Sequence, residues 1–167
     1  RGSHVAYLVS YPLNEYSMYG AVPIKELKRT LLKYKKAGTL DRVRMVLLTN
    51  CTFDGVVYNV ERVMEECLAI KPDLVFLWDE AWFAFARFHP TYRHRTAMAT
   101  AAMLKAKFKD PEYIKQYAAF SEKFTEADWD DEEKVLNTRL MPNPELARVR
   151  VYATHSTHKT LTSLRQG

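Results

Sequence analysis

Short β-rich runs alternate with segments of helical periodicity along this chain, and this alternation restricts the possible folds more than any other sequence feature. The four runs cover residues 5–9, 43–48, 74–78 and 149–152. The second and third runs are apolar on both faces, as strands are when they lie buried inside a parallel sheet. Because strands separated by helices form parallel sheets, the sequence predicts an α/β fold with a mainly parallel sheet and flanking helices.

Two of the intervening helices have recognisable start and stop signals. Pro23 can open the first, in which apolar residues recur at three- and four-residue spacing until Gly38 stops it. Asn59 can cap the second, whose apolar stripe continues until Lys71-Pro72 ends it.

Residues 96–138 break this rhythm, because helical patterns follow one another there without a strand. We interpret this segment as a helical insertion before the last strand of one domain that covers residues 5–167. Residues 1–4 are typical of the remnant of an expression tag and are excluded from the functional argument.

The composition argues against several classes of partner. The formal net charge is +5, but the Lys and Arg residues are scattered through helical segments, so no nucleic-acid partner is predicted. Cys51 and Cys67 lie in apolar surroundings without metal-ligand spacing, which is typical of reduced thiols in a cytoplasmic protein. No run approaches 18 consecutive apolar residues, so no membrane span is expected.

Polar side chains follow three of the predicted strands, at the edge where the chemistry of a parallel sheet gathers. The segment 49–55 follows the second strand, Asp79 follows the third, and two histidines, several hydroxyls and Lys159 follow the fourth. An amine, a carboxylate and hydroxyl donors on neighbouring strand ends are what pyridoxal phosphate chemistry requires. His155 and His158 have a spacing that a metal could use, but no acidic or cysteine ligand completes such a site, so no metal is predicted.

Three motifs carry a resemblance to a known family. They are Thr49-Asn50-Cys51-Thr52-Phe53-Asp54-Gly55 followed by Tyr58-Asn59, Asp79-Glu80-Ala81-Trp82 followed by Phe88-His89-Pro90-Thr91-Tyr92, and Ser156-Thr157-His158-Lys159 followed by Leu161. In sequence, order and separation they resemble the major domain of the ornithine/lysine/arginine decarboxylases, which has the aspartate-aminotransferase fold, fold type I of the enzymes that use pyridoxal phosphate.

The resemblance implies a role for each matching residue. Lys159 would be the lysine that forms the Schiff base with pyridoxal 5'-phosphate, and Asp79 the partner of its pyridine nitrogen. Ser156 and His158 would lie at the phosphate, and Trp82 near the ring hydroxyl. The implied substrate is an amino acid, and the implied enzyme is a cytoplasmic lyase that assembles as a homo-oligomer.

Two departures from the family pattern qualify these expectations. The family usually has glutamine where this chain has His155. The hydroxyl-rich phosphate loop and the histidine that stacks on the pyridine ring would lie upstream of residue 5. The chain therefore resembles a central fragment of a larger enzyme, and the isolated fragment is expected to be inactive.

Other interpretations of these residues stay open at this point. An aminotransferase or another lyase of the same fold would use the same cofactor anchors, and a basic α/β module without enzyme activity is a further alternative. Asp79 could be a helix N-cap and Trp82 a core aromatic residue.

Overall fold

The computed structural model describes residues 2–160, with only the backbone at Thr160. Arg1 of the predicted tag and the chain after Thr160 lie outside the described residues. In chain order the strands are β1 (Tyr11–Leu13), β2 (Met18–Ala21), β3 (Met45–Thr49), β4 (Val75–Asp79) and β5 (Arg150–Thr154). The helices are α1 (Ile24–Lys36), α2 (Val60–Ile70), α3 (Ala97–Lys107), α4 (Pro111–Lys123), α5 (Glu132–Asn137) and α6 (Thr157–Thr160). Short 3-10 helices lie at Asn14–Tyr16, Leu40–Arg42, Ala84–Phe88, Arg93–Arg95 and Glu126–Asp130.

The central sheet is parallel and has the strand order β3-β4-β5. Its three strands are the second, third and fourth runs predicted from the sequence, and the α/β prediction is confirmed. The register pairs Met45 with Val75 and Val75 with Arg150, and this alignment continues to the carboxyl ends of all three strands. The strand ends therefore meet along one edge.

The prediction of a strand at residues 5–9 is wrong. Residues 2–10 have no regular secondary structure, and Val5, Tyr7 and Val9 are exposed. A β-prone run becomes a strand only when a neighbour accepts and donates its backbone hydrogen bonds, and no strand of the described chain lies alongside it. The next residues instead form the β1–β2 hairpin, which the sequence analysis missed.

Gly20 explains the tight pairing of that hairpin. Its φ is +71°, and a Cβ at this position would lie 1.8 Å from the carbonyl oxygen of Tyr11. Only glycine can therefore occupy β2 at this point.

The predicted helix signals are confirmed at both α1 and α2. Pro23 immediately precedes α1, which ends one residue before Ala37, and Gly38 follows with a φ of +66°. The Asn59 side chain accepts a hydrogen bond of 3.0 Å from the backbone N–H of Arg62 and so caps α2. Residues 96–138 contain α3, α4 and α5, as their helical pattern predicts.

The two faces of the sheet differ in what covers them. Val46, Leu48, Phe76 and Trp78 are buried on one face, in a single hydrophobic core with the apolar residues of α1, α2 and α3. On the opposite face Leu47 is 57% exposed. The expectation that the second run is buried on both faces is therefore wrong, and the corresponding face of the third run is only half-buried. The helices of the described chain shield one face of the sheet.

A buried ion pair ties the helical layer together. The ammonium of Lys28 in α1 donates hydrogen bonds to Glu66 Oε2 in α2 (2.7 Å) and to the carbonyl oxygens of Val135 and Thr138 at α5 (2.9 Å each). These three acceptors match the three N–H groups of an ammonium, so the buried charge has a complete set of partners.

Glu66 shows the electrostatic result of this arrangement. Burial by itself would raise the pKa of Glu66, but hydrogen bonds from Lys28 and Arg62, together with their charges, hold that pKa below its ordinary value. Burial and the neighbouring Glu66 charge also raise the pKa of the Cys67 thiol to about 12. Cys67 and Cys51 are both free cysteines.

Candidate active site

The carboxyl edge of the sheet brings together the three segments that the sequence analysis singled out. Thr49, Asp79 and Thr154 are paired in register at the ends of β3, β4 and β5. Paired residues of a parallel sheet point to the same face. They share the uncovered face, because Asp79 alternates with the buried Trp78 along β4.

Asp79 is anchored through one of its two carboxylate oxygens. Oδ1 accepts hydrogen bonds from Thr154 Oγ1 (2.9 Å) and from the backbone N–H of Ala81 (3.1 Å). Asp79 thus caps the turn that follows β4, which is close to the alternative interpretation of this residue. Oδ2 accepts no hydrogen bond from residues 2–160, so the carboxylate keeps one oxygen for a further donor.

Lys159 lies against an aromatic pair on the same edge. Its Nζ is 5.1 Å from the centroid of the Trp82 ring, a cation–π contact. Phe53, from the segment after β3, packs edge to face on Trp82 with 5.9 Å between centroids. Trp82 is 44% exposed, so it is not a core aromatic residue. Neighbouring Phe83 is the buried one.

Ser156 and His158 contact one another between β5 and α6. Ser156 is buried, and its Oγ lies 2.8 Å from His158 Nδ1. This contact orients the imidazole in the segment that also carries Lys159. The structure therefore brings Lys159 to Trp82 and Ser156 to His158, while Asp79 lies at the adjacent strand end.

The segment after β3 contains a turn at Asp54-Gly55. Gly55 has a φ of +84°, and its N–H donates to the carbonyl oxygen of Thr52 at 2.8 Å. Asp54 Oδ2 accepts a hydrogen bond of 2.8 Å from the N–H of Tyr19 in β2. Cys51 has a φ of +64°, which is unusual for a residue other than glycine.

The sequence analysis missed a buried polar cluster beneath this edge. Glu80 is 1% exposed, and its carboxylate contacts Asn50, the N–H of Ala97 and His155. The buried side chain of Asn50 donates to Glu80 Oε1 (2.9 Å) and to the carbonyl oxygen of Arg95 (3.1 Å). Asn50 Oδ1 has no hydrogen-bond partner among the described residues. The sequence contains one signal for this cluster: Glu80 directly follows Asp79, and the alternation of side chains along a strand directs Glu80 to the covered face.

Two pockets of the described chain lie away from these residues. One, of about 250 Å³, lies between Ala21–Ile24 and Val56–Val63. The other, of about 530 Å³, lies at the opposite edge of the sheet, beside Asp73 and Arg150.

No group of three or more His, Cys, Asp or Glu side chains within residues 2–160 comes together in a way that could hold a metal ion. None of the helices between residues 2 and 160 has the length and apolar content needed to cross a bilayer.

Comparison with known proteins identifies the family. The family model for the Orn/Lys/Arg decarboxylase major domain matches residues 2–125. The chain belongs to the Orn/Lys/Arg decarboxylase family. The matched residues of the chain include Asp79, Trp82 and part of the helical segment 96–138. The match ends before Ser156, His158 and Lys159.

Individual relatives are bacterial decarboxylases. Lysine decarboxylase LdcA of Pseudomonas aeruginosa is 32% identical over 94 residues, which cover 53% of this chain and 12% of that protein. The biodegradative arginine decarboxylase of Escherichia coli is 33% identical over 94 residues, 51% of this chain and 12% of that protein. The constitutive lysine decarboxylase of Escherichia coli is 30% identical over 112 residues, 65% of this chain and 15% of that protein. The matched part of the chain thus spans 12% to 15% of the length of these relatives. No solved structure matches the chain significantly.

Proposed function

We propose that this chain is the central part of a pyridoxal-phosphate-dependent decarboxylase that acts on a basic amino acid such as lysine, arginine or ornithine. Family membership supports the decarboxylase class, and relatives named as lysine and arginine decarboxylases support the type of substrate. We further propose that the sheet belongs to a large domain of aspartate-aminotransferase fold type I, and that the complete enzyme is a cytoplasmic homo-oligomer.

The observation that carries this proposal is the register of β4 and β5. Because Asp79 is paired with Thr154, its carboxylate lies next to the start of the segment that leads to Lys159. A carboxylate at the end of one strand and an amine in the segment that follows the adjacent strand are the two anchors that pyridoxal phosphate chemistry needs.

The described residues fit this cofactor at two points. Asp79 Oδ2 is available to accept a hydrogen bond from a cationic ring nitrogen. The Lys159 side chain rests on the Trp82 ring and forms no salt bridge with residues 2–160.

When bound, pyridoxal phosphate supplies an electron sink for the charge left on the substrate α-carbon as the carboxylate departs as carbon dioxide. Asp79 would hold a proton on the pyridine nitrogen, because a carboxylate at hydrogen-bond distance favours the charged form of its partner. Lys159 would hold the cofactor through its amine until the substrate amine replaces it. Ser156 and His158 would bind the phosphate, and Trp82 would lie near the ring hydroxyl.

The test uses the complete polypeptide that contains this chain. With pyridoxal phosphate added, it is expected to show a saturable visible absorbance, and borohydride is expected to attach the cofactor permanently to Lys159. It is also expected to release carbon dioxide from lysine, arginine or ornithine. Lys159→Ala is expected to lose the fixed cofactor and to reduce turnover by orders of magnitude. Lys105→Ala, on the exposed face of α3, is the matched control and is expected to keep both properties.

The nature of the products separates this proposal from its alternatives. An amine and carbon dioxide indicate decarboxylation, whereas an oxo acid indicates an aminotransferase. Failure of the complete polypeptide to bind the cofactor would contradict the proposal. The 167-residue chain by itself is expected to be inactive.

A further inference from the structure

Glu80 is a carboxylate that the proposed chemistry does not use, although it is adjacent to Asp79. It lies on the covered face of the sheet and is 1% exposed. Removing a carboxylate from water is unfavourable unless hydrogen bonds and opposite charge replace its hydration. The partners of Glu80 therefore indicate what this buried charge holds in place.

Those partners come from three separate segments of the chain. Oε1 accepts from Asn50 Nδ2 (2.9 Å), directly after β3, and from the N–H of Ala97 (2.7 Å), the first residue of α3. Oε2 lies 3.1 Å from Nε2 of His155, directly after β5. Both oxygens of this one carboxylate are therefore engaged, and they connect the ends of all three strands to the start of a helix.

Glu80 also replaces a missing helix cap. Thr96 occupies the N-cap position of α3, but its hydroxyl donates to the carbonyl oxygen of Arg93 (3.0 Å) and does not cap the helix. Glu80 accepts the hydrogen bond from Ala97 instead, and the partial positive charge of a helix N-terminus favours a carboxylate there. The acid is thus fixed at a defined position relative to α3.

The backbone of Glu80 adds a further constraint on the same edge. Its N–H donates to the carbonyl oxygen of Thr154 (2.9 Å), and the N–H of Asn50 donates to the carbonyl oxygen of Asp79 (2.9 Å). The side-chain and backbone contacts together determine where the chain leaves β3, β4 and β5.

We propose that Glu80 is a positioning residue, and that its contact with His155 holds the segment 155–159, and with it Lys159, in place beside Asp79. The importance of this position for the reaction rests on the proposed function, whereas the contact between Glu80 and His155 does not. The proposal also gives a role to His155, which stands where the family usually has glutamine. A glutamine amide could donate the same hydrogen bond to Glu80 Oε2.

The first experiment measures backbone hydrogen exchange in the complete polypeptide without added cofactor, so it does not depend on the proposed function. Glu80→Gln keeps the size of the side chain and removes its charge. Exchange in the segments 49–55 and 155–159 is expected to rise about tenfold, the effect of losing one charge-assisted hydrogen bond. The matched control is Glu122→Gln, which removes an exposed carboxylate from α4 and is expected to leave exchange in both segments unchanged.

The second experiment measures cofactor affinity and turnover in the same variants. Glu80→Gln is expected to raise the Kd for pyridoxal phosphate and to lower kcat, each by about tenfold to a hundredfold, since small displacements of reacting groups have effects of that size. His155→Ala is expected to act in the same direction. His155→Gln, which restores a donor to Glu80, is expected to keep both values near those of the unmodified enzyme.

The outcomes separate this inference from the proposed function. Unchanged hydrogen exchange in Glu80→Gln overturns the positioning role, whatever the cofactor result. Raised exchange with unchanged Kd and kcat, in an enzyme that binds the cofactor normally, overturns the link to the reaction. If the unmodified enzyme does not bind the cofactor, the proposed function fails, and hydrogen exchange alone decides whether Glu80 holds the segments.

Discussion

The strands β3 and β4 carry apolar side chains on both faces of the central sheet, but the two faces have different surroundings. Leu48 on the covered face is 5% exposed, whereas Leu47, the preceding residue of β3, is 57% exposed on the other face. Tyr152 of β5, on the same side as Leu47, is 62% exposed. The covered face packs against α1, α2 and α3 in one hydrophobic core.

The side chains on the two faces therefore have different roles at the carboxyl edge of the sheet. On the covered side, Glu80 and its partners fix the chain where it leaves the strands. On the uncovered side, Asp79 keeps one carboxylate oxygen available, and Lys159 rests on Trp82. Substitutions in the covered hydrophobic core should therefore change mainly stability, and those at the uncovered edge should change activity. Substitution of Glu80 should change activity through the position of the segment 155–159.

The largest expected effect comes from the helical layer that covers one face. Glu66→Gln leaves the ammonium of Lys28 buried without its carboxylate, and breaking such a pair costs about 3 to 5 kcal/mol of unfolding free energy. Urea unfolding of the 167-residue chain at pH 7 measures this loss. Glu122→Gln, an exposed acid on α4, is the control and is expected to change stability by less than about 0.5 kcal/mol.

The same variant predicts a pH dependence with a definite sign. Because the folded-state pKa of Glu66 is lowered, its contribution to stability is present above the ordinary glutamate pKa and is lost as pH falls through the folded pKa. The difference in unfolding free energy between the unmodified chain and Glu66→Gln should therefore shrink below about pH 5. A difference that grows as pH falls would contradict this assignment.

A matched pair of leucine substitutions tests the two faces directly. Leu48→Ala removes a buried side chain and should lower the unfolding free energy by about 2 to 5 kcal/mol. Leu47→Ala, one residue away on the uncovered face, should lower it by less than about 1 kcal/mol. Urea unfolding of both variants makes the comparison, and equal losses would mean that the uncovered face is covered in solution.

The uncovered edge is tested by removing the Asp79 carboxylate from the complete enzyme. Asp79→Ala should retain the bound cofactor, while decarboxylation slows by about a hundredfold or more, equivalent to about 2.7 kcal/mol of transition-state stabilisation. Single-turnover carbon dioxide release at saturating cofactor measures this, with the visible spectrum of the same sample. Asp73→Ala, at the amino end of the same strand, is the control and should keep the normal rate. If Asp79→Ala decarboxylates at the unmodified rate, Asp79 only caps the turn that follows β4 and has no role in the reaction.

The smallest expected effect concerns self-association of the 167-residue chain. Large exposed apolar side chains in one surface favour association, so the chain is expected to form oligomers at micromolar concentration. Leu47→Lys should shift the oligomer–monomer equilibrium by about tenfold toward the monomer, as placing a charge in an apolar contact does. Light scattering across a dilution series measures the shift. A monomeric unmodified chain with a cooperative melt would contradict both this prediction and the interpretation of the chain as a fragment.

Local signals in the sequence predicted most of the secondary structure correctly. Asn59 caps α2 through its own side chain, and Gly38 follows α1 with a positive φ, because both effects involve residues that are close in the chain. The strands β3, β4 and β5 were likewise found from short β-rich runs. Residues 5–9 have the same local character but failed to form a strand, since a strand also requires a partner.

The residues of the candidate site likewise divide into those that the sequence singled out and those that only the structure revealed. The resemblance singled out Asp79, Trp82 and Lys159 because each belongs to a contiguous motif, and their proposed roles await the experiments above. It did not single out Glu80 as a positioning residue, because the contacts of that carboxylate come from Asn50, 30 positions earlier, and from other distant segments. Spacing along the chain contains no information about such a cluster.

The sequence by itself determined the α/β alternation, the boundaries of α1 and α2, and the family, since these depend on residue patterns that are read locally. Only the tertiary structure decided that one face of the sheet is covered, that Lys28 and Glu66 form a fully buried pair, and that Glu80 connects three strand ends. The physical reason is that burial and hydrogen bonding depend on which distant segments meet. A leucine or a glutamate has the same chemistry on either face, and its neighbours in space determine whether it stabilises the core or stays in contact with water.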